Sequence, residues 1–145
     1  PVRYGEYTPT AASYASRTMF ISGLIIFSFI AYHLLHYTFR VPGVNLTGQD
    51  FAAMKYTTEQ GVHQNDIYTM MLTGFGNFWV VAFYALGLGL LCFHLSHGIS
   101  AMFQSLGLKN EAWRPILDKA ACLVATLIFL GYMSIPLAIQ LKLLR

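Results

Sequence analysis

GNFWVVAFYALGLGLLCFHLSHGISAMFQS, residues 76–105, contains no Asp, Glu, Lys or Arg and carries two histidines, His94 and His97, three residues apart. A helix needs about 20 consecutive apolar residues to cross a bilayer, so the stretch reads as a spanning helix. Charged residues are also absent from Thr18 to Phe39 and from Ala120 to Leu141, and each of these runs suits one further span. The uncharged middle run begins at Ile67 and ends at Leu108, too long for one perpendicular span. Thr69, Thr73, Gly74, Gly76 and Asn77 weaken its first part, which is expected to lie along the interface or pack under a loop. The chain therefore reads as an all-α membrane protein with three transmembrane helices, at about residues 17–40, 76–105 and 118–143.

Composition agrees with that reading. Of 145 residues 56% are hydrophobic and only 10% are charged, where soluble domains carry about 25%. One membrane domain is expected over residues 1–145. It has a polar lead-in at 1–16 and an extramembrane loop with an interfacial segment at 41–75. Thr10, Ser13 and Ser16 are candidate caps for the first helix. Pro42-Gly43 is expected to stop that helix, with a short turn or interfacial helix between Asn45 and Ala53. Gly107 should end the second span, and Pro115 suits the first turn of the third. Pro136 should kink or fray the third span near its end.

The net charge of +3 is small, and the cations are scattered rather than clustered, so nucleic-acid binding has no support. Positive residues near the spans set orientation. Arg3, Arg17, Lys109, Arg114 and Lys119 fall on one face, read as cytoplasmic, and Arg40, Lys55, Lys142 and Arg145 on the other. Cys92 and Cys122 lie inside apolar spans and read as small packing residues.

The first span carries the same histidine spacing, His33-Leu34-Leu35-His36. Ionisable residues at membrane depth are costly and usually functional. A neutral imidazole bound to a metal suits the position, and histidines on spanning helices point first to haem iron. Two histidines at i and i+3 lie on the same side of a helix, so each pair supplies at most one axial ligand per haem. A porphyrin is a flat plate and must approach the backbone closely, which favours small neighbours. Gly87 and Gly98 flank His94 at −7 and +4, whereas His97 has Leu90 at −7 and Phe93 at −4. His94 is therefore the preferred ligand and His97 the second choice, with a polar contact to a helix, a propionate or water as its other role. In the first span His33 is preferred and His36, nearer the surface, is the second choice. His33 lies about 24 Å past Arg17, and His94 about 15 Å before Gln104, at 1.5 Å per residue. Ligands at these different depths suit two stacked haems. Arg17 is expected to anchor at the interface, to pair with a propionate, or both. His63, Asp66 and Tyr68 in the polar loop are weak candidates for a proton or quinone route.

Several of these residues resemble one family. They are Pro1-Val2-Arg3-Tyr4, Arg17 to Gly23, Phe29-Ile30-Ala31-Tyr32-His33, Asn65-Asp66-Ile67-Tyr68, Phe93-His94-Leu95-Ser96-His97-Gly98-Ile99 and Phe103-Gln104-Ser105-Leu106-Gly107. Together they resemble the di-haem, five-helix cytochrome b membrane anchor of bacterial succinate dehydrogenase and fumarate reductase. The resemblance implies two haems b, with His33 on the distal and His94 on the proximal one. It implies cofactor contacts from Ser16, Arg17, Gly23, His36, Tyr37, Gly87, His97 and Gly98. It further implies an iron–sulfur subunit, a flavoprotein subunit, menaquinone or another quinone, and the bacterial cytoplasmic (inner) membrane. This chain offers three helices and resembles the C-terminal part of the family. The other axial ligands are expected from a chain or segment supplying two more helices, and Pro1 without an initiator Met fits that expectation. A cytochrome b of a hydrogenase or formate dehydrogenase, or a non-redox membrane scaffold, is the alternative.

Overall fold

The computed structural model describes residues 14–144, with side chains from Met19 onward. Helix α1 runs over Tyr14–His33 and continues as a π-helical turn over Leu34–Thr38. A two-stranded antiparallel hairpin follows, β1 at Lys55–Thr57 and β2 at His63–Asn65. Then come α2 at Ile67–Gly76, α3 at Phe78–Ser105 and α4 at Arg114–Gln140. Three helices are long and apolar enough to cross a membrane: Met19–Thr38, Phe78–Ser105 and Arg114–Gln140. The fold is an all-α membrane bundle, as the charge-free runs imply.

The ends of the elements have local causes. α1 stops before Pro42-Gly43, earlier than its proline suggests. The π turn is closed by the Phe39 N–H donating to Leu34 O at 2.8 Å and the Val41 N–H to Leu35 O at 3.0 Å. Arg40 takes the left-handed conformation (φ 53°) that reverses the chain there, a position more often held by glycine. Ser16 lies within α1, so it does not cap that helix; Thr10 and Ser13 fall outside the described residues. The long uncharged run is split by one extended residue, Asn77 (φ −85°, ψ 120°), between α2 and α3. Its side chain accepts the Trp79 N–H at 2.9 Å and starts α3, so α2 is the separate segment expected before the second span. Gly107 (φ 72°) terminates α3, and Pro115 sits in the first turn of α4, which begins at Arg114 rather than near 118. Pro136 stands inside α4, which runs on as helix to Gln140.

The 41–66 connection holds turns where a turn or interfacial helix is expected at 45–53, and a hairpin beyond it. Buried Asn45 organises the turn: its Nδ2 donates to Gln49 O at 2.6 Å and its Oδ1 accepts the Thr47 N–H. The connection is tied to the bundle through the Tyr32 hydroxyl, which donates to Val44 O, and through Asn77 Nδ2, which donates to Leu46 O. Phe51 inserts its buried ring beneath this cap.

α3 is the central helix, packed on one side by α1 and along much of its length by α4, with α2 against both α3 and α4. The core is concentrated at the α2 end, around Phe75, Val80, Val81, Tyr84, Met133 and Ile139. Gln140 Nε2 donates to Phe75 O and Gly76 O, tying the end of α4 to the last turn of α2. Elsewhere large apolar side chains face outward, Phe20 at 83% exposure. The opposite end of α3 is pinned to α4 by Lys109, whose ammonium meets Asp118 at 2.6 Å, with Ser100 donating to the same carboxylate.

α1 packs tightly on α3 at Gly87. A Cβ there would fall within the Phe29 ring, so the missing side chain admits that ring. Phe29 also packs edge-on against Tyr84 at 5.5 Å between ring centres. Gly87→Ala is expected to overpack this contact and lower stability by about 1–3 kcal/mol. Thermal unfolding of the detergent-solubilised protein checks it. Phe29→Ala in the same chain should remove much of the loss.

Candidate haem-ligand site

The antiparallel crossing of α1 and α3 brings each preferred histidine to a hydroxyl on the opposite helix. His94 Nδ1 lies 2.9 Å from Ser22 Oγ, and His33 Nδ1 lies 3.4 Å from the Tyr84 hydroxyl. Eleven residues separate Ser22 from His33 and ten separate Tyr84 from His94, about 15 Å in either helix at 1.5 Å per residue. The two histidines thus sit at separate levels of the helix pair, in agreement with the depths read from sequence.

The two members of each histidine pair have different surroundings. His33 is exposed and lines an apolar cavity of about 550 Å³ between α1, α3 and α4 beneath α2, shared with Tyr37, Met70 and Tyr84. His36, in the π turn, is only 1% exposed. Its ring stacks on Tyr37 at 4.1 Å and on Phe51 at 5.4 Å, and its Nδ1 lies 3.1 Å from the Tyr84 hydroxyl. Its Nε2 is buried without a partner among the described residues. His36 is thus sealed between these rings, whereas His33 opens on the cavity. In α3, His94 is half-buried against α1, and His97 packs on the edge of Phe93 at 4.7 Å.

A haem-bound histidine commonly donates its second ring N–H to a fixed acceptor, which leaves the other nitrogen for the metal. His33 and His94 fit this test, since each has Nδ1 beside a hydroxyl oxygen and neither uses Nε2 for that contact. Among the described residues, no three His, Cys, Asp or Glu side chains converge as a compact metal cluster would need.

The neighbouring glycines divide. A Cβ at Gly98 would meet nothing within 4 Å, leaving that flank of His94 open. At Gly87 the Phe29 ring occupies the space a Cβ would take, so this glycine admits close helix packing. Gly23 lies against the His94 ring, where a Cβ would come 3.8 Å from Cε1. Tyr37 turns its buried hydroxyl toward Gly74 of α2 while its ring borders the cavity. The side chains of Ser16 and Arg17 lie outside the described residues.

Among the polar-loop candidates, His63 is exposed in β2, with Nδ1 3.0 Å from Thr57 Oγ1 across the hairpin. Tyr68 is exposed on α2. Asp66 caps α2: its carboxylate accepts the Thr69 N–H at 2.9 Å and the Thr69 O–H at 2.7 Å. Cys92 is buried and Cys122 exposed, both as free thiols.

Ser22 and Tyr84 are the site residues that sequence reading misses. Their signal is a small or phenolic hydroxyl placed ten or eleven residues before the histidine of the same helix. It becomes legible only once the two helices are known to cross antiparallel.

Three helices of this length and apolarity define a multi-pass membrane protein. The model of the succinate dehydrogenase/fumarate reductase transmembrane subunit family matches residues 3–133, and the chain belongs to that family. It is accordingly a multi-pass protein of the inner membrane and a subunit of that complex, set among other subunits in the bilayer. Comparison with curated proteins and with solved structures finds no match.

The Thr69 hydrogen bonds to the Asp66 carboxylate hold its pKa below the ordinary value of 3.8. A depressed carboxylate stabilises the fold fully above its unfolded-state value and loses that contribution as pH falls through the native value. The α2 cap should therefore persist at about pH 4 and fail at more acidic pH. Hydrogen exchange of the Thr69 amide should accelerate there, and Asp66→Ala should show the faster exchange already at neutral pH.

Proposed function

We propose that this chain is a haem b anchor of a succinate:quinone oxidoreductase, with His33 and His94 each giving one axial ligand to a separate haem. The observation that carries the reading is the pairing of each histidine Nδ1 with a hydroxyl of the opposite helix, at levels about 15 Å apart along the axis. One iron cannot take both ligands at that separation, so each haem draws its second ligand from another chain or segment. When bound, such a haem supplies one-electron transfer between an iron–sulfur subunit and membrane quinone. The chain's own residues supply ligation, burial and hydrogen bonding. The aromatic and methionine-rich walls around His33 keep its surroundings apolar.

The iron–sulfur and flavoprotein subunits are proposed to dock at the end carrying the α3–α4 connection, where Arg114 and Lys119 are exposed. Lys109 is engaged with Asp118 there and belongs to the joint between helices rather than to a free basic surface. Menaquinone or another quinone is the proposed electron partner in the membrane. Family membership favours this complex over a hydrogenase or formate dehydrogenase anchor.

A dithionite-reduced minus oxidised spectrum of the purified complex is expected to show two haems b. His94→Ala and His33→Ala should each remove one of them and leave much of the other. His36→Ala and His97→Ala should retain both. Absence of haem absorption in the wild-type complex would point instead to a non-redox scaffold.

A further inference from the structure

The hydroxyl beside His94 is committed in both directions. Ser22 Oγ donates to Met19 O at 3.0 Å, one turn earlier in α1, so its proton is already placed. The oxygen then faces His94 Nδ1 at 2.9 Å as an acceptor. That arrangement protonates Nδ1 and leaves Nε2 as the nitrogen with a lone pair. Gly23 follows immediately and faces the imidazole edge, where a Cβ would make an ordinary contact with Cε1 at 3.8 Å. The contact at His33 is of another kind: Tyr84 is 3.4 Å away and shares its single hydroxyl with His36 at 3.1 Å.

We infer that Ser22 is a positioning residue for His94: its hydroxyl accepts the Nδ1 proton, fixes the rotation and tautomer of the ring, and leaves Nε2 as a strengthened donor. The inference rests on the haem reading of His94 and assigns part of that ligand's control to α1. A hydrogen bond from Nδ1–H makes the imidazole more electron-rich, which stabilises ferric over ferrous iron on the other nitrogen. Its loss raises the reduction potential. Interhelical hydrogen bonds in membranes contribute only modestly to stability, so the helix pair is expected to survive the change while the redox property moves.

The test is a redox titration of the assembled complex, resolved by haem. Ser22→Ala is expected to raise the potential of the haem that His94→Ala removes, by up to about 59 mV, a tenfold change in its ferric-to-ferrous ratio. The haem removed by His33→Ala should keep its potential. Ser22→Thr returns a hydroxyl and should keep wild-type values. Loss of the His94 haem in Ser22→Ala, with its retention in Ser22→Thr, supports the same role. Unchanged potentials, equal shifts of both haems, or Ser22→Thr behaving like Ser22→Ala overturn it. A wild-type complex without haem b absorption brings down the haem reading and this inference with it, an outcome distinct from those three.

Discussion

The Phe29 ring of α1 fills the space left by Gly87 of α3, a tight contact compatible with one register of the helix pair. Sliding one helix by a turn would move its side chains about 5.4 Å along the other. That displacement would separate Ser22 from His94 and Tyr84 from His33 together. A single steric contact therefore aligns both hydroxyl–imidazole pairs, although they lie at opposite ends of the crossing. Neither pair is strong enough to set register by itself, because polar contacts between membrane helices are individually small.

The distribution of packing follows from the solvent. Lipid tails are as apolar as Leu, so burial of aliphatic surface gives little drive to associate helices in the membrane. Close approach through small residues, aromatic geometry and polar ties carry more of the task. They gather at the α2 end, where Tyr32, Tyr84 and Phe83 form edge-to-face contacts and Gln140 binds the carbonyls ending α2. The cap of residues 41–66 closes this end through Phe51, stacked on His36. At the other end the Lys109–Asp118 pair holds α3 to α4. The outward apolar face of α1, with Phe20, Leu24 and Phe27, has no such partner among the described residues.

Much of the fold is legible in the sequence because charge exclusion from lipid is a strong constraint. The three charge-free runs become three spanning helices, and the weak segment before the second becomes α2. The breaks between elements are harder to read. Asn77 divides α2 from α3 through one extended residue and a side-chain cap, a local choice that hydropathy does not register. The hairpin at 55–65 escapes a hydropathy reading too, although Tyr56, Thr57 and the Gly61 turn carry ordinary strand and turn chemistry. Gly87 reads in sequence as a small residue beside a histidine, and the side chain packed against it is Phe29. Sequence spacing identifies a glycine that permits close approach and cannot say what approaches it.

The duplicated histidine spacing is where helix geometry adds most to the sequence. In a regular helix, His33 and His36 would share one face and compete for one role. The π turn at Leu34–Thr38 begins directly after His33 and widens the helix there. The two rings still reach the same Tyr84 hydroxyl, yet one borders a cavity and the other is sealed between Tyr37 and Phe51. His36 is thereby part of the support behind His33: it anchors Tyr84, and Tyr84 faces the His33 Nδ1. In α3 the helix stays regular, and the division is made by the neighbours instead. Ser22 and Gly23 receive His94, while Phe93 occupies the edge of His97. Two identical spacings are given different surroundings by different means, a change of helical pitch in one span and the partner helix in the other.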